Sequence, residues 1–224
     1  MPWPMVHFAI AAQLTACKPS PHFLVGSIAP DALHVREKVT RQDKGFTHLV
    51  AEDRFPSIEL LQESCLAFLQ RNQAWNWQQF VLGYMAHIYA DLRWTETIYA
   101  EFERDCQGSH QEKRNIYNKE VSQIEFILLH GKEWGREVVH SLQQAEAFPM
   151  EPFVTQAEVS RYRDLKIGWL QDDSNEPRIK PIYFTKEAVD AFIVQTSEEM
   201  NVLAKAWGID YLLSPVGQDS PTTS

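Results

Sequence analysis

Gly83-Tyr84-Met85-Ala86-His87-Ile88-Tyr89-Ala90-Asp91 is an apolar run that carries two polar side chains, His87 and Asp91, four residues apart. A helix turns by about 100° per residue, so positions four apart share one face. Tyr84, Met85, Ile88 and Tyr89 surround His87, which predicts a buried helix rather than a solvated one with a surface pair. An imidazole and a carboxylate converging from one helix face are a common way to build zinc and related sites. This stretch therefore predicts an all-α protein with a metal-type pair inside its core.

The helical pattern around it runs over 76–102. Gly83 within it costs about 1 kcal/mol against alanine, which suits close packing on a neighbouring helix. Upstream, 5–16 reads as a helix with His7, Ala11 and Leu14 on one face, ended by Pro19 and Pro21. Residues 22–45, with Gly26 and Pro30, read as short helical turns and loops. Ser57 is an N-cap for a helix whose stripe is Ile58, Leu61, Cys65 and Phe68. Downstream, Gln107-Gly108-Ser109 is a loop, and 113–142 reads as a helix with Tyr117, Val121, Ile124 and Leu128 in line. Thr155 and Glu158 form a capping box for a helix through Leu170, and 172–182 is a loop. Thr185 caps a last helix that stops at Gly208. Period-two alternation is absent. The expectation is one compact bundle of six or seven helices within residues 1–214, rich in Trp and Phe, and a polar, disordered tail at 215–224.

The 224 residues are ample for a single buried core, and 44% hydrophobic with 23% charged residues is ordinary globular composition. The net charge of -9 argues against non-specific binding to nucleic acid or to an anionic membrane. No run approaches the roughly 20 apolar residues of a membrane span. Met1-Pro2-Trp3-Pro4 lacks a basic n-region, so the expected location is the cytoplasm. Cys17, Cys65 and Cys106 are far apart and odd in number, which fits reduced thiols better than disulfides or a CxxC site.

Other candidates lie along the first half of the chain. Asp31 follows Pro30 on a stiff turn, where a carboxylate is preorganised for a metal or caps a short helix. His7 points toward the interior, and His48 follows Gly45-Phe46-Thr47; each is a ligand candidate or a buried neutral histidine. His34, three residues from Asp31, is placed to join the site or to bind phosphate. Arg36 and Lys44 are phosphate-binding candidates or solvated loop charges. Glu120 and Glu125 border the apolar stripe of their helix, as additional ligands or as a solvated edge. His130 with Glu133, and His140 with Glu133 or Glu137, read as surface pairs; His22 and His110 read as loop residues.

Taken in order, Trp3-Pro4-Met5-Val6-His7, Gly26-Ser27-Ile28-Ala29-Pro30-Asp31, Thr47-His48, and Gly83-Tyr84-Met85-Ala86-His87 with Asp91 and Trp94 resemble the zinc-dependent phospholipase C family, whose fold is shared with S1/P1-type nucleases. The resemblance covers about the first 100 residues. It implies an all-α bundle of that type, a cluster of up to three zinc ions, and hydrolysis of phosphoesters. It also implies that His7, Asp31, His48, His87 and Asp91 hold metal, with Asp91 bridging two ions and His7 binding a further one. Secreted members add an N-terminal Trp and a late His-x-x-x-Glu as ligands. Here Trp3 is internal and no such motif follows Asp91, so one or two ions are expected before three.

The expected function is a metal-dependent phosphoesterase of a cytoplasmic branch, acting on a small phosphorylated substrate. Asp31 would orient the attacking water or act as base, and Arg36 or Lys44 would neutralise developing charge. Zinc is the first expectation; iron, manganese and nickel also suit a His/Asp site. The alternative is a non-catalytic helical protein that binds a structural metal or a partner. An HD-type phosphohydrolase would need an adjacent His-Asp dipeptide, which is absent, and a ferritin-like di-iron centre would need a pair of Glu-x-x-His motifs, which is also absent.

Overall fold

The protein is described by a computed structural model over residues 3–131 and 133–214. Its α-helices are α1 (Pro4–Leu14), α2 (Pro21–Gly26), α3 (Arg41–Thr47), α4 (Ile58–Arg71), α5 (Trp75–Glu96), α6 (Ile98–Asp105), α7 (His110–Gly131), α8 (Glu133–Gln144), α9 (Gln156–Gln171) and α10 (Lys186–Ala206). Short 3-10 turns lie at Ala29–Val35, Asp173–Asn175 and Asp210–Leu213. Among the described residues there is no strand, only two isolated bridges, Ala51 with Arg54 and Met150 with Val154. The fold is all-α, and no described helix is long and apolar enough to cross a membrane.

Two helices are buried on nearly every side, which is why neither shows a simple amphipathic stripe. In α1 every residue except Gln13 is buried. The middle of α5 is buried without interruption from Gln79 to Asp91. α5 packs on α2, α4, α6, α1 and α10, while α1 lies against α10 and α7. The α2–α5 contact is backbone on backbone: a Cβ on Gly83 would stand 2.1 Å from the Phe23 carbonyl oxygen, and one on Gly26 would stand 2.1 Å from that of Phe80. Packing explains the glycine at 83, and Gly26 is its counterpart.

The expected caps are present. The side chains of Ser57, Thr155 and Thr185 accept from the N–H groups of Leu60, Glu158 and Ala188, and Thr155 with Glu158 forms the full capping box. Gly208 takes φ 72 after α10. Several expectations need correction, the first being the helix count: ten α-helices are described where six or seven were expected. The 76–102 pattern is two helices broken at Thr97 (φ -115, ψ -96); buried Ile98 and Phe102 continue the apolar rhythm across the break, so periodicity does not reveal it. The 113–142 helix begins earlier, at His110, and is described as α7 and α8 on either side of residue 132. His22 and His110 lie in α2 and at the start of α7, not in loops. The expected tail at 215–224 falls outside the described residues.

Glu120 and Glu125 are not a solvated edge either; both are buried and tied to backbone. Tyr183 and Phe184 donate their N–H groups to one oxygen of Glu120, at 2.8 and 3.0 Å. Met5 donates its N–H to both oxygens of Glu125, at 3.0 and 3.1 Å, satisfying a first-turn amide of α1 that the helix itself leaves unpaired. Burial nevertheless pushes Glu125 up to about 8, against an ordinary 4.5, with Met5 and Lys166 pulling the other way. Between those values the folded protein keeps a proton that the unfolded chain has released, so this carboxyl lowers stability progressively as pH rises through the window. Glu125→Gln should gain stability over the wild type as pH is raised from about 5 to about 8, read from urea midpoints of both metal-free proteins. A difference that does not change with pH would count against this account.

Candidate metal centre

Five of the predicted residues meet. His7 comes from α1, Asp31 from the 3-10 turn at Ala29–Val35, His48 from the C-cap of α3, and His87 and Asp91 from successive turns of α5. His7, His48, His87 and Asp91 are buried, and Asp31 keeps 15% of its side chain exposed, so the cluster reaches solvent at its Asp31 end. The His7 and His87 rings stack 4.0 Å apart at 12°.

Backbone carbonyls set the orientation of two imidazoles. A carbonyl only accepts, so the 2.8 Å contact between His87 Nδ1 and the Ser27 oxygen makes Nδ1–H the donor. The same reasoning holds for His48 Nδ1 and the Lys44 oxygen at 2.9 Å. Each ring therefore turns Nε2 inward, as an outer carbonyl commonly does for a metal-binding histidine. Tyr84 helps fix the same corner, its hydroxyl donating to the Thr47 carbonyl at 2.7 Å. Sequence reasoning missed these supports: the Ser27 and Lys44 contributions are main-chain atoms with no side-chain signature, and Tyr84 read only as an apolar neighbour.

Nε2 of His48 and Nε2 of His87 lie 3.2 Å apart. Asp91 Oδ2 is 3.3 Å from the first and 3.6 Å from the second. Its other oxygen is 3.7 Å from His7 Nε2, and Asp31 Oδ1 is 3.6 Å from His48 Nε2.

No family model, curated protein or solved structure matches this chain.

The donor set fits a metal ion on its own chemistry. Ligands at about 2.0–2.1 Å around a tetrahedral zinc are separated by about 3.3 Å, close to the three edges of the His48–His87–Asp91 triangle. Two inward nitrogens facing each other at 3.2 Å repel unless a cation or a proton lies between them. Both nitrogens of His7 and both oxygens of Asp91 are buried with no hydrogen-bond partner among the described residues, which is costly for a metal-free core. His87 belongs both to a group with His7 and Asp91 and to a group with Asp31 and His48, and one Nε2 serves one ion. Asp91 turns Oδ1 toward His7 and Oδ2 toward His48 and His87.

Electrostatics follow the same layout. Burial, then His87, takes His7 down to about 3, so it is neutral. Burial also lowers His48, against the pull of Asp91 and Asp31. His87 is raised despite burial, because Asp91 and Asp31 favour its charged form. Burial alone would raise Asp91, but His87 and His48 beside it hold the carboxyl well below its usual range. Asp31 is likewise held well below that range against burial, first by Lys44 and then by His34, His87 and His48.

At the rim, Lys44 Nζ sits 3.2 Å and His34 Nε2 3.6 Å from Asp31 Oδ1, so both join the mouth of the cluster. Arg36 does not: its guanidinium grips Glu158 at 2.6 and 3.2 Å and donates to the Phe153 carbonyl at 2.9 Å. That fork ties the 3-10 turn to α9 and leaves Lys44 as the phosphate candidate. Glu120 and Glu125, satisfied by backbone amides, lie outside both groups of converging ligand atoms. His130 and His140 are exposed, as expected of surface residues, and the side chain of Glu133 lies outside the described residues.

Proposed function

We propose that this protein is a metal-dependent hydrolase of phosphoesters, related in design to the zinc-dependent phospholipase C and P1-nuclease type. Its centre holds one or two divalent ions, zinc in first place and iron, manganese or nickel as alternatives. The observation that carries the reading is the inward triangle of His48, His87 and Asp91 with edges of 3.2 to 3.6 Å, backed by the buried ring nitrogens of His7 and oxygens of Asp91, which have no hydrogen-bond partner among the described residues. Asp31 supports catalysis over a purely structural metal. Structural zinc sites are closed by four protein ligands, whereas this cluster opens at Asp31 into a cleft of about 440 Å³.

An ion bound there would supply Lewis acidity, acidifying water and withdrawing charge from a phosphoryl oxygen. The chain's own part is placement. Asp31, ionised across the neutral range, orients water at the mouth; its lowered proton affinity makes it a better acceptor of a hydrogen bond than a store for a proton. Lys44 neutralises negative charge beside it. Ser27 and Lys44 carbonyls keep His87 and His48 aimed inward, so the site is rigid before a substrate arrives.

The test measures metal per chain in tag-free protein before and after zinc loading, beside His87→Ala, with hydrolysis of p-nitrophenyl phosphate and bis(p-nitrophenyl) phosphate by each. At least one ion per wild-type chain, lost in the variant together with zinc-dependent hydrolysis, is the expected result. Failure to take up zinc, iron or manganese would overturn the proposal. Uptake without hydrolysis of either ester would favour the rival reading, a structural metal in a partner-binding helical protein.

A further inference from the structure

We infer that the cleft above Asp31 recognises a second anionic group, so that the substrate is a small organic phosphate bearing another phosphate or a carboxylate. This rests on the phosphoester reading and extends it to the substrate class. The cleft, about 440 Å³, is lined among others by Trp3, Asp31, Lys44, Arg114, Tyr162 and Lys166. That volume suits a small organic molecule.

The charge balance is the reason. The whole chain carries -9, yet the fixed charges lining this cleft are three cations against one carboxylate. Lys44 is occupied by Asp31 at 3.2 Å. Arg114 and Lys166 form no ion pair among the described residues. Lys166 is held along the aromatic wall, its Nζ 5.6 Å from the centre of the Trp3 ring and 5.1 Å from that of Tyr162, and Trp3 is itself fixed edge-on against Trp169 at 5.4 Å. A neighbouring cleft of about 500 Å³ beside His48 lacks this surplus: Arg41 is paired with Asp53 at 3.1 Å, and Glu52 is also present. A phosphoryl group at the metal centre draws on Lys44 and leaves Arg114 and Lys166 for a further anion, Arg114 with the planar fork that suits phosphate or carboxylate.

The test uses non-hydrolysable probes, phenylphosphonate and 4-phosphonobenzoate, titrated calorimetrically into zinc-loaded protein whose metal content has been measured. The carboxylate-bearing probe should bind about tenfold tighter, as expected for charge-assisted contacts. Arg114→Gln should shrink that advantage, and Arg114→Gln with Lys166→Gln should abolish it, with metal content and helical circular dichroism unchanged. Equal affinity of the two probes for the wild type, or an advantage that survives in the double variant, would overturn the second-anion inference and leave the phosphoester reading intact. Binding of neither probe to metal-loaded protein would overturn both.

Discussion

Asp91→Asn is expected to abolish tight metal binding while leaving the helices in place. The Asp91 carboxylate faces all three buried imidazoles, at 3.7 Å from His7, 3.3 Å from His48 and 3.6 Å from His87. Asparagine keeps the shape but removes the charge, and it turns an N–H₂ donor toward one of these nitrogens or the other. Changing an outer-shell partner typically costs 10–100-fold in metal affinity, so removing this oxygen ligand should cost more than about 100-fold. The same change has a thermal signature. An ion present at about 1,000 times its dissociation constant stabilises a folded protein by about 4 kcal/mol, or about 8–16 °C in Tm for a chain of this size. Zinc should raise the melting temperature of the wild type by an amount of that order and leave Asp91→Asn unmoved. Equal shifts in the two proteins would show that the metal binds elsewhere.

Gly83→Ala is expected to be strongly destabilising although it adds a single methyl group. On helix propensity alone, alanine would gain about 1 kcal/mol. The added carbon, however, would stand 2.1 Å from the Phe23 carbonyl oxygen and 2.7 Å from the Ser27 nitrogen, and backbone cannot step aside as a side-chain end can. Overpacking of a core costs about 1–3 kcal/mol in general; a clash with main chain belongs at or above the top of that range, so the clash wins. A net loss of about 2–3 kcal/mol corresponds to about 4–12 °C in Tm. Separating α2 from α5 also moves the Ser27 carbonyl away from His87 Nδ1, so metal affinity should fall in the same variant. Gly168, inside α9 with nothing within 4 Å of a Cβ, is the matched control, and Gly168→Ala should stabilise slightly. Thermal melts of both variants decide the matter; a Gly83→Ala protein as stable as Gly168→Ala would refute the close-approach argument.

The sequence made the burial of His87 and Asp91 legible because they sit one turn apart within an apolar run, which favours a buried helix over a surface pair. Caps at Ser57, Thr155 and Thr185 were legible for a local reason: a side chain three residues from its target amide leaves its mark in the sequence. What stayed hidden depends on distant contacts. Glu120 and Glu125 looked like solvated edges because their partners, the amides of Tyr183, Phe184 and Met5, lie 63, 64 and 120 residues away. Arg36 looked free for phosphate because Glu158 is 122 residues off. The basic cleft was invisible for the same cause, since Trp3, Lys44, Arg114 and Lys166 come together only when α7 and α9 close over the first residues of α1.

The near-total burial of α1 has a consequence for how the chain is made. His7, Asp31, His48, His87 and Asp91 all leave the ribosome before α6, yet α1 is covered by α7 and α10, and α10 ends at Ala206. At about 5–20 residues per second, the interval between completing α5 and completing α10 is on the order of ten seconds. Until it ends, the apolar helix that carries His7 has α2 and α5 beside it but lacks the α10 part of its cover. The five clustered residues are thus translated before the helices that complete their cover, and the nascent chain passes through a stage in which the segment that carries them is whole in sequence but not yet enclosed.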